Sequence, residues 1–256
     1  MTVLESFRST IQEAGVLDAR ERRVLFLVLP QVNLLDLAGP AQVFHVAARL
    51  GIPYKLLFCA NQSEIARPFE VFGVTRLHRN ISGGEAPFHV YTVAEKAEPV
   101  LARNGLSVNP SWTLENCPAP DILVVPGGYG TRSQIKNEKL IHWIKDQAGR
   151  VELLLSVCTG ALLLAKAGLL EGLSASTHYL AMDELHALAP NTQICPSERY
   201  VDNGKIITSA GISAGIDMSL YVVSRLLGSE QAAETAQYMQ YDYWKGTETS
   251  IASNVS

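Results

Sequence analysis

Short apolar runs alternating with helical patterns constrain this chain more than any other feature. Val24–Leu29, Tyr54–Ala60, Phe88–Ala94, Asp121–Val125, Val151–Val157 and Lys205–Ser209 are each too short for a buried helix. Continuous apolar character over such lengths suits strands covered on both faces, as in a parallel sheet. Between several of them, apolar residues recur at helical spacing over roughly 37–50, 133–148, 160–167 and 213–227. A last helix is expected over 229–241, with Ser229 as its N-cap. Strands alternating with helices predict βαβ units and an α/β fold with helices on both sides of a mostly parallel sheet. At 256 residues and 47% hydrophobic content, the chain has enough apolar material for a real core.

The remaining composition narrows the function classes. A formal net charge of −4 argues against nucleic-acid and membrane-surface partners, which would want a basic patch. Val24–Leu29 falls far short of the roughly 20 apolar residues of a membrane helix. Residues 1–20 carry Glu5, Glu13 and Asp18 and lack the continuous apolar stretch of a secretory signal. The four cysteines, at 59, 117, 158 and 195, form no close pair, so neither a disulfide scaffold nor a structural zinc site is expected. The expectation is a soluble, cytoplasmic protein with free thiols.

Val3, Leu4, Phe7, Ile11 and Ala14 predict a helix over 3–15, so residues 1–22 read as a helical extension. Residues 23–246 read as one α/β domain, with 61–87 as an insertion or long loop and 247–256 as a frayed, polar tail.

Three loops carry candidate chemistry. In Val151–Ala165 a buried strand runs straight into a helix with Cys158 at the turn, followed by Thr159 and Gly160. This is the arrangement of a nucleophile elbow: a sharp turn at the carboxyl edge of a parallel sheet exposes a side chain in the ligand crevice. The helix start is expected to lower the cysteine pKa and to offer backbone N–H groups to developing negative charge. The second loop, Pro126-Gly127-Gly128-Tyr129-Gly130, follows another buried strand; adjacent glycines allow amides to face a ligand, though the loop matches no dinucleotide or phosphate fingerprint. In the third, Asp36 lies between leucines just after the first strand. It reads either as a helix N-cap or as a partly buried carboxylate with a raised pKa, suited to proton transfer.

These segments together resemble the ThiJ/PfpI superfamily, of the class I glutamine-amidotransferase-like fold, and most closely its isocyanide hydratase branch and related regulator sensor domains. The matching pieces are Asp36-Leu-Ala-Gly39-Pro40, Asp121-Ile-Leu-Val-Val-Pro-Gly-Gly, Ser156-Val-Cys-Thr-Gly160, Ser176-Thr-His178 and Ser209-Ala-Gly211-Ile-Ser-Ala-Gly215-Ile-Asp217. The resemblance runs from about Arg23 to Gly246. It implies a flavodoxin-like three-layer sandwich, a homodimer acting on a small molecule, Cys158 as nucleophile and Asp36 as its acidic partner. It implies no metal or organic cofactor. Thr159 stands where protease- and amidase-like members carry histidine, and Asp36 where the glyoxalase- or chaperone-like branch carries glutamate. Both differences resemble the hydratase. Arg103-Asn104-Gly105-Leu106 departs from the pattern, since serines often precede that Gly-Leu.

The implied reaction is attack of Cys158 on an isocyanide carbon, with Asp36 supplying a proton and later activating water. A thioimidate would form and hydrolyse to an N-substituted formamide. The backbone at Gly127, Gly128 and Thr159 is the candidate polar cradle, and the Thr159 hydroxyl a further contact. His178 reads as a residue standing near Cys158 and supporting it, or as a hydrogen-bonded structural histidine, with Leu173–Thr177 as the strand that leads to it. His45, His142 and His186 read as surface residues, Cys59, Cys117 and Cys195 as structural or partly exposed thiols, and Asp217 as a cap or packing group. Two other function classes stay open: another cysteine enzyme of the fold, of glyoxalase, deglycase or amidase type, and a non-catalytic ligand or redox sensor.

Overall fold

The computed structural model describes residues 21–50 and 86–246. The expected helix over 3–15, the strand over 54–60, Cys59, nearly all of the 61–87 stretch and the 247–256 tail lie outside the described residues.

The apolar runs form the sheet. β1 (Arg22–Leu27), β2 (Phe88–Ala94), β6 (Ile122–Val125), β7 (Leu153–Val157) and β11 (Ile206–Ser209) fall within a residue or two of the expected strands. The short β5 (Trp112–Thr113) and β10 (Tyr200–Asp202) complete a seven-stranded sheet in the order β10-β11-β7-β6-β1-β2-β5. All pairings are parallel except β10 with β11, which closes one edge. The small β3–β4 hairpin (Val100–Leu101, Ser107–Val108) stands apart.

The lack of hydrophobic alternation has a direct cause. Along β1, Val24 and Phe26 enter one apolar layer while Leu25 and Leu27 enter the other. The first layer holds α1 (Leu34–Leu50), α6 (Ala214–Leu227) and α7 (Ser229–Tyr238), through residues such as Phe44, Met218 and Ala232. The second holds α3 (Glu138–Arg150), α4 (Gly160–Lys166) and α5 (Met182–Leu188), through Ile144, Leu162 and Leu185. This is the three-layer α/β sandwich expected, and each fully buried Leu, Val or Phe contributes about 1.5–3 kcal/mol to it.

Some expectations are corrected. The pattern over 133–148 is two helices, α2 (Thr131–Gln134) and α3. Asn137 divides them by leaving helical geometry and accepting a hydrogen bond from the Leu140 amide (3.1 Å). Ser229 is not an N-cap: Gly228, at φ +95°, ends α6 and begins α7, and Ser229 is the first helical residue. Leu173–Thr177 shrinks to β8 (Ser174–Ala175), which pairs with β9 (Gln193–Ile194) outside the main sheet. Gly39, deep in α1, sits where a Cβ would lie 2.9 Å from Ile216, so α1 and α6 meet closely over the sheet edge that bears the site.

Candidate active site

β6 and β7 end side by side, with Val125 paired to Ser156, and both chains turn sharply there. Cys158 occupies the turn after β7 at φ +57°, a left-handed conformation that a non-glycine residue adopts at a cost of about 1–3 kcal/mol. Its surroundings hold it there. The Cys158 amide donates to the Ser209 and Ala210 carbonyls (3.2 and 3.1 Å), and its carbonyl accepts from the Thr177 hydroxyl (2.9 Å). Gly160 lets the elbow close against β6: a Cβ there would sit 2.1 Å from the Val125 carbonyl oxygen. The elbow geometry read from the sequence is thus present.

Asp36 reaches the same point from the opposite side. It is the third residue of α1 and completely buried, so its side chain does not serve as the N-cap. Its amide donates to the Asn33 carbonyl (3.0 Å) in the first helical turn. Both carboxylate oxygens lack a hydrogen-bond partner among the described residues. The Cys158 thiol and the Gly127 amide lie beside the carboxylate and ease its ionisation, without completing hydrogen bonds of ordinary geometry. Burial outweighs them and lifts the Asp36 pKa from 3.8 to about 6. A Cβ on Gly127 would fall 2.9 Å from Asp36 Oδ2 and 2.5 Å from the Thr159 nitrogen, so the Pro-Gly-Gly loop can close over the pair only with glycine.

The thiol departs from the expectation of a lowered pKa. Cys158 is pushed up to about 12, first by burial and then by the adjacent Asp36 charge. The Thr159 and Ile212 amides face the sulfur and oppose this shift, but they do not overcome it. Near neutral pH the pair therefore carries one proton, on sulfur, beside an ionised carboxylate.

The other site candidates divide. The Thr159 amide faces the thiol, but its hydroxyl is engaged within the loop. That hydroxyl accepts from the Gly128 amide (2.9 Å) and lies 3.1 Å from both the Gly128 carbonyl oxygen and the Thr131 hydroxyl. Gly128 therefore donates its amide to Thr159 instead of presenting it to a ligand. His178 lies next to Thr177 in the chain, yet its Nδ1 accepts from the Leu180 amide (3.2 Å) and its ring stacks on Tyr179. Among the described residues it makes no hydrogen bond to Cys158. His45, His142 and His186 are exposed, and Cys117 and Cys195 are partly exposed. Asp217 is no cap either: it is buried in the first turn of α6, ion-paired with Arg199 and hydrogen-bonded to Tyr241.

Sequence reasoning missed Ile212, Thr131 and Thr177. Ile212 sits at φ +46°, rare for a β-branched residue, and turns its amide toward the sulfur. The Gly211-Ile-Ser-Ala-Gly215 run after β11 was the available signal. Thr131 is fully buried, and its only trace in the sequence is its place just after the glycine loop.

The described residues contain no helix long and apolar enough to cross a membrane and no cluster of three or more His, Cys, Asp or Glu placed to hold a metal.

Known proteins resemble this chain in sequence and fold. The DJ-1/PfpI family matches the chain over residues 22–225. An isonitrile hydratase from Pseudomonas putida is 32% identical over 216 residues, 84% of this chain and 75% of its own length. The HTH-type transcriptional regulator GbdR of Pseudomonas aeruginosa is 29% identical over 167 residues, which are 65% of this chain but 45% of the regulator. Among solved structures, a ThiJ/PfpI family protein from Pseudomonas syringae superposes with a TM-score of 0.69 at 25% identity, covering 91% of this chain and 79% of its own.

Proposed function

The chain belongs to the DJ-1/PfpI family, and on that premise we propose that it is a cysteine-dependent hydratase that adds water to an isocyanide, giving an N-substituted formamide. One observation carries this reading: a buried thiol stands beside a buried carboxylate that makes no hydrogen bond of ordinary geometry among the described residues, so one proton can pass between the two. A terminal isocyanide carbon needs both a nucleophile and a proton, and this pair supplies them in sequence.

Cys158 Sγ attacks the isocyanide carbon as its proton passes to the Asp36 carboxylate. Asp36 returns that proton to the same carbon, and a thioimidate results. Water then adds to that carbon as Asp36 takes one of its protons and delivers it to nitrogen. The C–S bond breaks, the remaining hydroxyl proton moves through Asp36 to sulfur, and formamide and free thiol are released. The net change is addition of one water. Two steps replace one hard addition. A pKa of about 6 suits a group that must act as base and acid in turn near neutral pH. The amides of Thr159 and Ile212 hold the sulfur and stabilise charge on it.

The isonitrile hydratase relative supports this reaction, and Thr159 in place of a histidine fits a mechanism whose proton carrier is a carboxylate. The same reading carries the homodimer expected above; light scattering would then give twice the 27.9 kDa chain mass.

The test mixes the purified protein with a small alkyl isocyanide and follows formamide together with the intact protein mass. The parent forms product. Cys158→Ala forms none and takes up no adduct. Formamide production by Cys158→Ala at the parental rate would overturn the assignment.

A further inference from the structure

Arg103 carries a charge that the chemistry above leaves unused. It sits at the tip of the β3–β4 hairpin, which the Ala102 amide closes by donating to the Leu106 carbonyl (2.8 Å). The tip is tied to the glycine loop that covers Asp36. The Arg103 amide donates to the Val32 carbonyl (3.0 Å), and Val32 bridges to Gly128 of the loop that covers Asp36. The guanidinium lies 5.6 Å from the centre of the Tyr129 ring, the exposed residue that follows Gly128.

Arg132 approaches the same ring at 6.0 Å, but it is neutralised by Glu184 at 2.6 Å. Arg103 has no carboxylate partner among the described residues. Asn104 accepts from the Leu106 amide (3.2 Å) through its side-chain oxygen, which leaves its N–H groups unengaged among the described residues. The Asn33 carboxamide likewise has no hydrogen bond among them. These three side chains line a cavity of about 520 Å³ whose other walls are Leu34, Leu35 and Ala38. No acidic side chain among the described residues lines it. Leu34–Ala38 is the first turn of α1, the same turn that carries Asp36.

A guanidinium and two carboxamides with open donors, beside an apolar wall, suit a carboxylate on a small organic body. We propose that this cavity seats a carboxylate of the substrate, so that the preferred isocyanides are anionic. The proposal rests on the hydratase reading and adds the substrate class to it. Arg103 acts here as a specificity residue, binding the end of the substrate remote from the reacting carbon.

The experiment compares isocyanoacetate with its ethyl ester on the full-length protein. The parent is expected to favour the acid at least tenfold in kcat/KM, the scale of one charge-assisted hydrogen bond. Added salt should erode this preference, because the contact is exposed. Arg103→Gln should cut the acid-to-ester ratio by the same tenfold factor. Lys139→Gln, which removes a surface charge elsewhere, should keep the parental ratio. A parental ratio near one, or a ratio that survives Arg103→Gln, overturns the proposal. If neither compound yields formamide, the hydratase reading fails and calorimetry decides the cavity by itself. Isocyanoacetate binding at least tenfold more tightly to the parent than to Arg103→Gln then supports the carboxylate site; equal binding or none overturns it.

Discussion

Two aspartates occupy the first turns of two neighbouring helices, and their surroundings differ sharply. Asp217 opens α6, is nearly buried, and has Arg199 and Tyr241 as partners. Asp36 opens α1, is entirely buried, and has no hydrogen-bond partner on either oxygen among the described residues. Both lie on the same side of the sheet, on helices that touch. A buried carboxylate with an arginine and a phenol is a fastening, here between the C-terminal segment and α6. A buried carboxylate whose neighbours do not offset its desolvation is destabilising in the resting protein, and such groups persist where a reaction uses them. The molecule therefore carries one buried acid for structure and one for chemistry.

Exchanging each acid for its amide sharpens that contrast, and the largest effect is on turnover. Asp36→Asn should lose formamide production by a thousandfold or more, because the amide neither takes nor returns a proton. Asp217→Asn should stay within about tenfold of the parent, and steady-state kinetics on both variants checks the pair.

Stability should move the opposite way. Raising the Asp36 pKa from 3.8 to about 6 corresponds to roughly 3 kcal/mol of destabilisation at neutral pH. Asp36→Asn should recover part of this in urea unfolding. Asp217→Asn should lose about 1–2 kcal/mol, a figure reduced by the half-exposure of Arg199. If both variants lose stability, the contrast between the two acids fails.

The pH dependence follows from the same shift. Between about pH 4 and 6 the unfolded chain has released the Asp36 proton while the folded protein still holds it. The native state binds more protons there, so its stability from this group falls as pH rises and levels off above about 6. Asp36→Asn should remove that slope, whereas kcat/KM of the parent should rise through the same window as the carboxylate ionises.

The smallest effect concerns the loop above the pair. Thr131→Val removes a buried hydroxyl that faces Thr159 Oγ1 and the Gly128 carbonyl, at a cost of about 1 kcal/mol. It should lower kcat severalfold by loosening the Gly127 amide over Asp36, and Thr131→Ser should restore it.

Legibility in the sequence followed the range of the physics involved. Phe88–Ala94 was readable to the residue, because a strand buried on both faces writes its burial into consecutive side chains. The Cys158 elbow was readable because a strand, a nucleophile and a small residue are neighbours in the chain. The division of α2 from α3 was not, since Asn137 reads as an ordinary polar residue until its side chain caps Leu140. Nor was Ile212 as a partner of the sulfur, because its amide matters only through an unusual backbone angle at the end of a different strand.

By itself the sequence determined the layered α/β frame, its helix-covered parallel sheet and the candidate nucleophile, all of which rest on neighbours along the chain. Tertiary structure alone decided what Cys158 and Asp36 are chemically. Segments around 36, 127, 158 and 212 meet at one buried point, and it is their meeting that raises both pKa values and leaves the carboxylate without a hydrogen bond of ordinary geometry among the described residues. Desolvation is a property of everything that surrounds a group, and no local stretch of sequence contains it.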